Sequence, residues 1–383
     1  MKKKRKMPEE VPAIAAKASK NPRLHVPRPA QMMVPMVPPS AAGAIIRVGT
    51  DFSGIETPLQ ALKGLGVPFR HMFAAESQPH LRKFIRKLFP VEGRVYKDVG
   101  KREVTTVPEV DVYVAGPPCQ PWSSAGQQMG LEDLRGRGVL LFATLEYIRA
   151  RRPAVIILEN VANLARKFKG ELENLCHILR VELHYEVHWN LMDTLGHGLP
   201  HSRPRVYIVG FASPPVRPFK FPQPLKHCVN VTTILERTNK VVSVRPHDND
   251  LAKWNISWAK VNFDGNEFQK KPVFVDIDAG KNFAHWTVGH LPCLTACRGR
   301  DRRVTLTEMM RFQGMLPKRL AVWGACMTER QMGHALGNAM SVNVLQRVLV
   351  RALKASGLAV VRDPWRDPLC NPWRRAADGG AAS

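Results

Sequence analysis

A chain of 383 residues, 44% of them hydrophobic, can bury a full core and divide into a large and a small domain, which excludes a fibrous or wholly disordered protein. The 57 Lys and Arg against 32 Asp and Glu leave a formal charge of +25, more than solubility requires, so a polyanionic partner is the first expectation. Seven cysteines, odd in number and without a CxxC pair, suit neither a disulfide framework nor a zinc ribbon; with no apolar run of membrane-spanning length, a reducing compartment, no membrane and no metal are expected.

Residues 1–42, beginning MKKKRK, are rich in Lys, Arg, Pro and Ala, lack a periodic apolar face, and read as a disordered arm. Its basic cluster suits a nuclear address, a phosphate-binding arm or a plain solvated charge run. The expected location is the nucleus in a eukaryote and otherwise the cytoplasm, at the nucleoid. From residue 43 short apolar runs alternate with helical stretches: AIIRVGTDF then TPLQALKGLG, HMFAAES then PHLRKFIRKLF, VDVYVAG, LLFATLEYIRA then PAVIILENV. That alternation predicts an α/β domain with a largely parallel sheet over 43–213. Past RVYIVGF the prolines of ASPPVRPFKFPQP mark a boundary, and the scattered aromatics that follow predict a small irregular domain over 214–300. Helical spacing returns in TLTEMMRFQGM and SVNVLQRVLVRALKAS, so 301–360 is expected to complete the first domain, with a disordered tail over 361–383.

Doubly wound sheets keep their ligands at the carboxyl ends of their strands. GTDFSGIETP is such an end, with Gly54 for a tight turn and a helix N-terminus behind it. Glu76, closing the next strand, is placed to accept from a ribose diol, and Asp98 in VYKDVG from an adenine amino group; each alone is equally an ordinary surface acid. Cys119, in DVYVAGPPCQPWSSAG, follows a strand end inside a proline frame, where a nucleophile faces a cleft; the plain alternative is a small packed hydrophobe. Glu159 closes the apolar strand AVIIL, where partial desolvation raises its pKa and favours a proton-donating form. Arg203 and Arg205 stand two apart at a strand start, on one side, as anion-stabilising groups or as surface phosphate contacts. A thiol, a carboxylic acid and an arginine pair suit attack on an electron-poor ring such as cytosine.

In this order DFSGIE, AAES, YKDVG, GPPCQPWSSAG, DLRGRG, ENV, HSRPRVYIVG, RRVTLTEMMRFQGM and LGNAMSVNVLQ resemble the cytosine-5 DNA methyltransferase family over nearly all of residues 44–353. The resemblance implies a Rossmann-like S-adenosylmethionine-dependent methyltransferase sheet with a small target-recognition domain at 214–300, and double-stranded DNA as partner. It further implies that Cys119 attacks carbon 6 of a flipped cytosine, Glu159 protonates ring nitrogen 3, Arg203 and Arg205 hold the base or its flanking sugar-phosphate, and carbon 5 takes the methyl group of S-adenosyl-L-methionine. Phe52, Gly54, Ile55, Glu76, Asp98, Val99, Pro118 and Asn338 would surround that cofactor, and SSAGQQMGLEDLRGRG would cover the flipped base. His247, Asp248, Asn249, Lys253, Asn255 and Asn282 would offer donors and acceptors to base edges. Three departures stand out: Glu56 and Thr57 replace a second glycine pair, which puts a carboxylate near the methionine end of the cofactor; His201 replaces a glutamine; Ala339 follows Asn338 where serine is frequent. Alternatives of the same fold are a tRNA cytosine-5 methyltransferase, whose usual Cys-Phe-Thr tripeptide this chain lacks, and an inactive DNA-binding regulatory homologue, although the thiol, acid and arginines are all present.

Overall fold

A computed structural model of the protein describes residues 45–118, 139–236, 250–262, 272–276, 286–294 and 304–366. Its centre is a seven-stranded sheet built from β1 (Ile46–Asp51), β2 (Phe69–Ala75), β3 (Val95–Tyr96), β4 (Val112–Ala115), β5 (Val155–Val161), β6 (Glu186–Asp193) and β7 (Pro204–Phe211), in the order β3-β2-β1-β4-β5-β7-β6. The strands from β3 to β5 pair in parallel, and β7 pairs antiparallel with both β5 and β6. The α/β fold expected from the alternation is thus present, with an antiparallel edge that the apolar pattern did not announce. The missed strand is β6, EVHWNLMD, whose partly exposed residues give no continuous apolar run.

The central strands are buried on both faces, and their alternate residues feed two cores. Val112, Val114, Val155 and Ile157 face one layer, with Leu59 and Leu62 of α1 (Thr57–Gly64) and much of the C-terminal helix Val342–Ser356. Tyr113, Ala115, Ile156 and Leu158 face the other, and the connecting helices supply its outer side. Those are α2 (Pro79–Leu88) beside the first layer, and α3 (Val139–Arg151), α4 (Asn163–Arg166) and α5 (Lys169–His177) beside the second.

The 214–300 stretch is less irregular than its composition suggests. It contains α6 (Val231–Ile234), the 13-residue α7 (Asp250–Asn262), and a separate antiparallel pair, β8 (Val273–Val275) with β9 (Trp286–Val288). The overlooked signal is Trp254 and Trp258, four apart on one helical face and stacked at 6.1 Å, with Trp286 of β9 against Trp258 at 4.9 Å. The chain then returns through α8 (Leu306–Phe312), α9 (Glu329–Asn338) and α10 (Val342–Ser356). Capping boxes at Thr305 with Glu308, and at Thr328 with Gln331, start α8 and α9. Helix α10 packs on α1, and Asn343 donates to His197 O at 2.9 Å, so this stretch joins the core of the first domain. Among the described residues no helix is long and apolar enough to cross a membrane, and no cluster of His, Cys, Asp or Glu is arranged to hold a metal ion.

Candidate active site

The strand order reverses between β1 and β4, so the crevice of this sheet opens at the carboxyl ends of those strands. After Asp51 the chain passes through three left-handed residues, Phe52 (φ 54), Gly54 (φ 54) and Glu56 (φ 55). Such backbone strains non-glycine residues and persists only where neighbours impose it. Here Glu56 N–H donates to Ser53 O at 2.8 Å, and Ser53 N–H reaches across to Ala75 O at 3.0 Å. The same loop holds the acid at the end of β2: Gly54 N–H donates to Glu76 Oε2 at 2.9 Å and Gln78 N–H to Oε1 at 2.8 Å. Ile55 is buried in the first core, Phe52 is half-buried at the loop, and Asp98 caps a short turn through Gly100 N–H at 3.0 Å, with Val99 buried behind it.

Glu56 does not reach toward the cofactor as its position in the motif implied. Its side chain is fully buried, where Oε1 accepts from Thr50 Oγ1 at 2.9 Å and lies 3.5 Å from His71 Nε2. Burial pushes the carboxyl up to about 8, against the opposing hydrogen bonds from Thr50 and Ser53, and burial pushes His71 down to about 4. Both groups are therefore mainly neutral at pH 7, and the departure places no full charge at the cleft.

The second part of the site is built on β4, β5 and β7. Beyond β4 the backbone of Gly116 runs so close that a Cβ there would stand 3.1 Å from Met340 Cε and 3.7 Å from Glu159 Oε2. Asn160 Nδ2 lies 3.5 Å from Pro117 O, at the limit of a hydrogen bond, and Pro118 is half-buried. Cys119 and the expected cover, 123–138, lie outside the described residues. Glu159 is 9% exposed, and its Oε1 has no aligned hydrogen-bond partner among the described residues although Arg205 Nε stands 3.3 Å away. Desolvation raises its pKa and the Arg205 and Arg203 charges oppose that rise.

The two arginines take different positions. Both guanidinium groups reach Cys293 Sγ, at 3.7 Å from Arg203 and 3.8 Å from Arg205, so the side chains do share one side. Arg203, however, is 2% exposed and donates to Leu294 O at 3.2 Å, Gly337 O at 2.9 Å and Ala339 O at 2.8 Å, tying the end of α9 to the sheet. Arg205 is the member of the pair beside Glu159. His201, standing where glutamine is usual, is fully buried and spends both ring nitrogens on backbone: Nδ1 lies 3.1 Å from Phe312 O, and Nε2 accepts from Leu294 N–H at 3.1 Å. It is a structural residue, with its pKa well below the usual range through burial.

Asn338 ends α9 exposed, 3.3 Å from the His334 ring, and the neighbouring Ala339 uses its carbonyl on Arg203 rather than a side chain on any ligand. In the 214–300 stretch Lys253 is exposed, whereas Asn255 is fully buried within α7. His247, Asp248, Asn249 and Asn282 lie outside the described residues. The structure thus gathers Phe52, Gly54, Ile55, Glu76, Asp98 and Val99 at one end of the carboxyl edge and Pro118, Glu159 and Arg205 at the other. Sequence reasoning missed Asp51, Arg102 and Tyr113 beneath the first group, and Cys293 between the arginines. Neither Arg102 nor Cys293 had a local signal: Arg102 pairs with Asp51 across 51 residues, and Cys293 comes from a separate stretch that only the fold brings in.

The chain matches the family model "C-5 cytosine-specific DNA methylase" over residues 51–354. It is 27% identical over 286 residues to Type II methyltransferase M.NgoBI of Neisseria gonorrhoeae, covering 72% of this chain and 84% of that protein. With Type II methyltransferase M.HaeII of Haemophilus aegyptius the identity is 26% over 290 residues, covering 72% and 85%. The fold resembles that of the Entamoeba histolytica methyltransferase EhMeth with a TM-score of 0.58 at 17% identity, over 81% of this chain and 98% of that one. With the family model spanning most of its length and the sheet that such methyltransferases share, the chain belongs to the C-5 cytosine-specific DNA methylase family.

Proposed function

We propose that the protein methylates carbon 5 of a cytosine flipped out of duplex DNA, using S-adenosyl-L-methionine and a transient covalent adduct with Cys119. The observation that carries this reading is Glu159: a carboxyl group near the end of β5, 9% exposed, with one oxygen lacking an aligned partner among the described residues, beside Arg205 and next to the strand end that leads into GPPCQPW. A buried acid whose pKa is raised by desolvation suits donation to a ring nitrogen. In this scheme the Cys119 thiolate adds to carbon 6, and the electron pair displaced into the ring is met by the Glu159 proton at nitrogen 3. Carbon 5 then becomes nucleophilic. After methylation, loss of the carbon 5 proton to solvent, expulsion of the thiolate and return of the nitrogen 3 proton to Glu159 restore the ring. Arg205 steadies the base side, and Arg203 acts by holding the α9 end in place.

The residues at the other end of the edge fit the cofactor. Glu76, pinned by two backbone amides, keeps acceptor capacity for a ribose diol, and Asp98, with one oxygen on its own turn, keeps the other for an adenine amino group. When bound, S-adenosyl-L-methionine supplies an electrophilic methyl group. Phe52, Gly54, Ile55, Val99, Pro118 and Asn338 are assigned to the walls of that cleft. The 214–300 stretch is assigned to DNA reading, and 1–42 to phosphate contacts or nuclear import. The match to a C-5 cytosine-specific DNA methylase model favours DNA as the acceptor.

The test is transfer of a tritiated methyl group from the cofactor to duplex DNA, with tRNA as the competing acceptor. Label in duplex DNA, lost in C119A, is the expected result; label in tRNA alone, or transfer by C119A above about a tenth of the wild-type rate, would overturn the reading.

A further inference from the structure

The acids assigned to the ribose and to the adenine stand on separate pieces of chain, and something must set the distance between them. The sheet does so only in part. Strand β3 is an edge strand of two residues, and the hydrogen bond of Glu76 N–H to Tyr96 O at 3.0 Å lies at its end. Asp98, two residues further on, accepts from Gly100 N–H within its own turn.

Arg102, at the end of that turn, reaches back into the sheet. Its side chain is 2% exposed and forks onto the Asp51 carboxylate, which is fully buried, with Nη1 on Oδ1 at 2.6 Å and Nη2 on Oδ2. Tyr113 Oη donates to Asp51 Oδ2 at 2.6 Å. The guanidinium carbon lies 5.3 Å from the Tyr147 ring centre, 5.4 Å from Phe73 and 5.5 Å from Tyr96, each within cation–π range. A buried carboxylate depends on such partners, and the planar fork with its ring cage fixes one geometry where a lysine would leave several.

Asp51 is the last residue of β1 and directly precedes the loop whose Gly54 amide holds Glu76. We infer that Arg102 is a positioning residue that locks the Asp98 turn to the Glu76 loop through Asp51, and so sets the width of the cofactor cleft. The inference rests on the cofactor reading given above. Arg102 itself touches Asp51 and the rings, away from Glu159 and Arg205, so its loss acts on cofactor binding and spares the chemical step.

Titration of S-adenosylhomocysteine into wild type, R102M and R102K, with steady-state kinetics on duplex DNA and thermal unfolding of each, tests this. R102M is expected to raise the Kd and the cofactor KM by about tenfold, with kcat at saturating cofactor and the DNA KM unchanged, and R102K to fall between. Should R102M not fold, R102K decides. An unchanged Kd in either folded variant overturns the inference, as does a fall in kcat that only follows the loss of folded protein. Failure of the wild type to bind S-adenosylhomocysteine would instead overturn the cofactor reading, and the clamp with it.

Discussion

Replacing Glu56 by glutamine removes a titration that the structure places in the interior of the first domain. The folded protein holds the Glu56 carboxyl at about 8, from an ordinary value of 4.5, because burial penalises the charged form. A raised pKa means that the folded state binds the proton more tightly, so stability is fully present below pH 4.5 and is lost as pH rises toward 8. His71 has the opposite sign: it is lowered from 6.5 to about 4, so its contribution is lost as pH falls through that range. Between pH 4.5 and 6.5 the two slopes nearly cancel. From pH 6.5 to 8 only the Glu56 slope remains of the pair, and at about 1.4 kcal/mol per pH unit it costs about 2 kcal/mol. Urea unfolding of wild type and E56Q at pH 6.5 and pH 8 measures it. The wild type should lose about 2 kcal/mol more than E56Q across that interval, and the two should bind S-adenosylhomocysteine equally at pH 6.5. Equal losses would show that the carboxyl is ionised in the fold, and the inward, neutral Glu56 described above would be wrong.

Glu159→Gln should slow methyl transfer while cofactor affinity, measured by calorimetry, stays within about twofold, since the side chain lies on the base side. Lost cofactor binding would assign the carboxyl to the other ligand. Arg203→Met removes donors from three backbone carbonyls and should destabilise the protein by about 3 kcal/mol or more, seen as a lower urea midpoint. Arg205→Met should leave that midpoint nearly unchanged and reduce transfer; the reverse pattern would contradict the division of roles between the two. Deleting residues 1–42, with nine basic and two acidic residues, should flatten the slope of log DNA affinity against log salt by several units, each phosphate contact contributing about 0.9, and leave the methylated sequence the same. An unchanged slope with a fluorescent fusion that leaves the nucleus would make the arm an address instead.

The parallel half of the sheet was legible because strands buried on both faces are written as short apolar runs, and VDVYVA and AVIIL have few other interpretations. The edge strand β6 was not, since its residues answer to solvent on part of their length. Glu76 and Glu159 could be found at strand ends without coordinates, for a charge that closes an apolar run is conspicuous. What those ends are attached to could not. The inward turn of Glu56 depends on Thr50 and His71, the occupation of Arg203 depends on carbonyls more than 90 residues away, and Asp51 meets Arg102 across 51 residues. Each is a long-range pairing of buried polar groups, and local spacing carries no record of it. Helix α7 was hidden for a different reason: its tryptophans and asparagines are weak helix formers, and only the stacked pair four apart marks the turn.

The most direct test of the central claim is bisulfite sequencing of duplex DNA exposed to the full chain with S-adenosyl-L-methionine, beside the same DNA exposed to C119A. Cytosines that resist conversion in a recurring sequence context are expected with the wild type, and none with C119A. Complete conversion of every cytosine by a folded wild-type protein that binds both DNA and S-adenosylhomocysteine would contradict that claim.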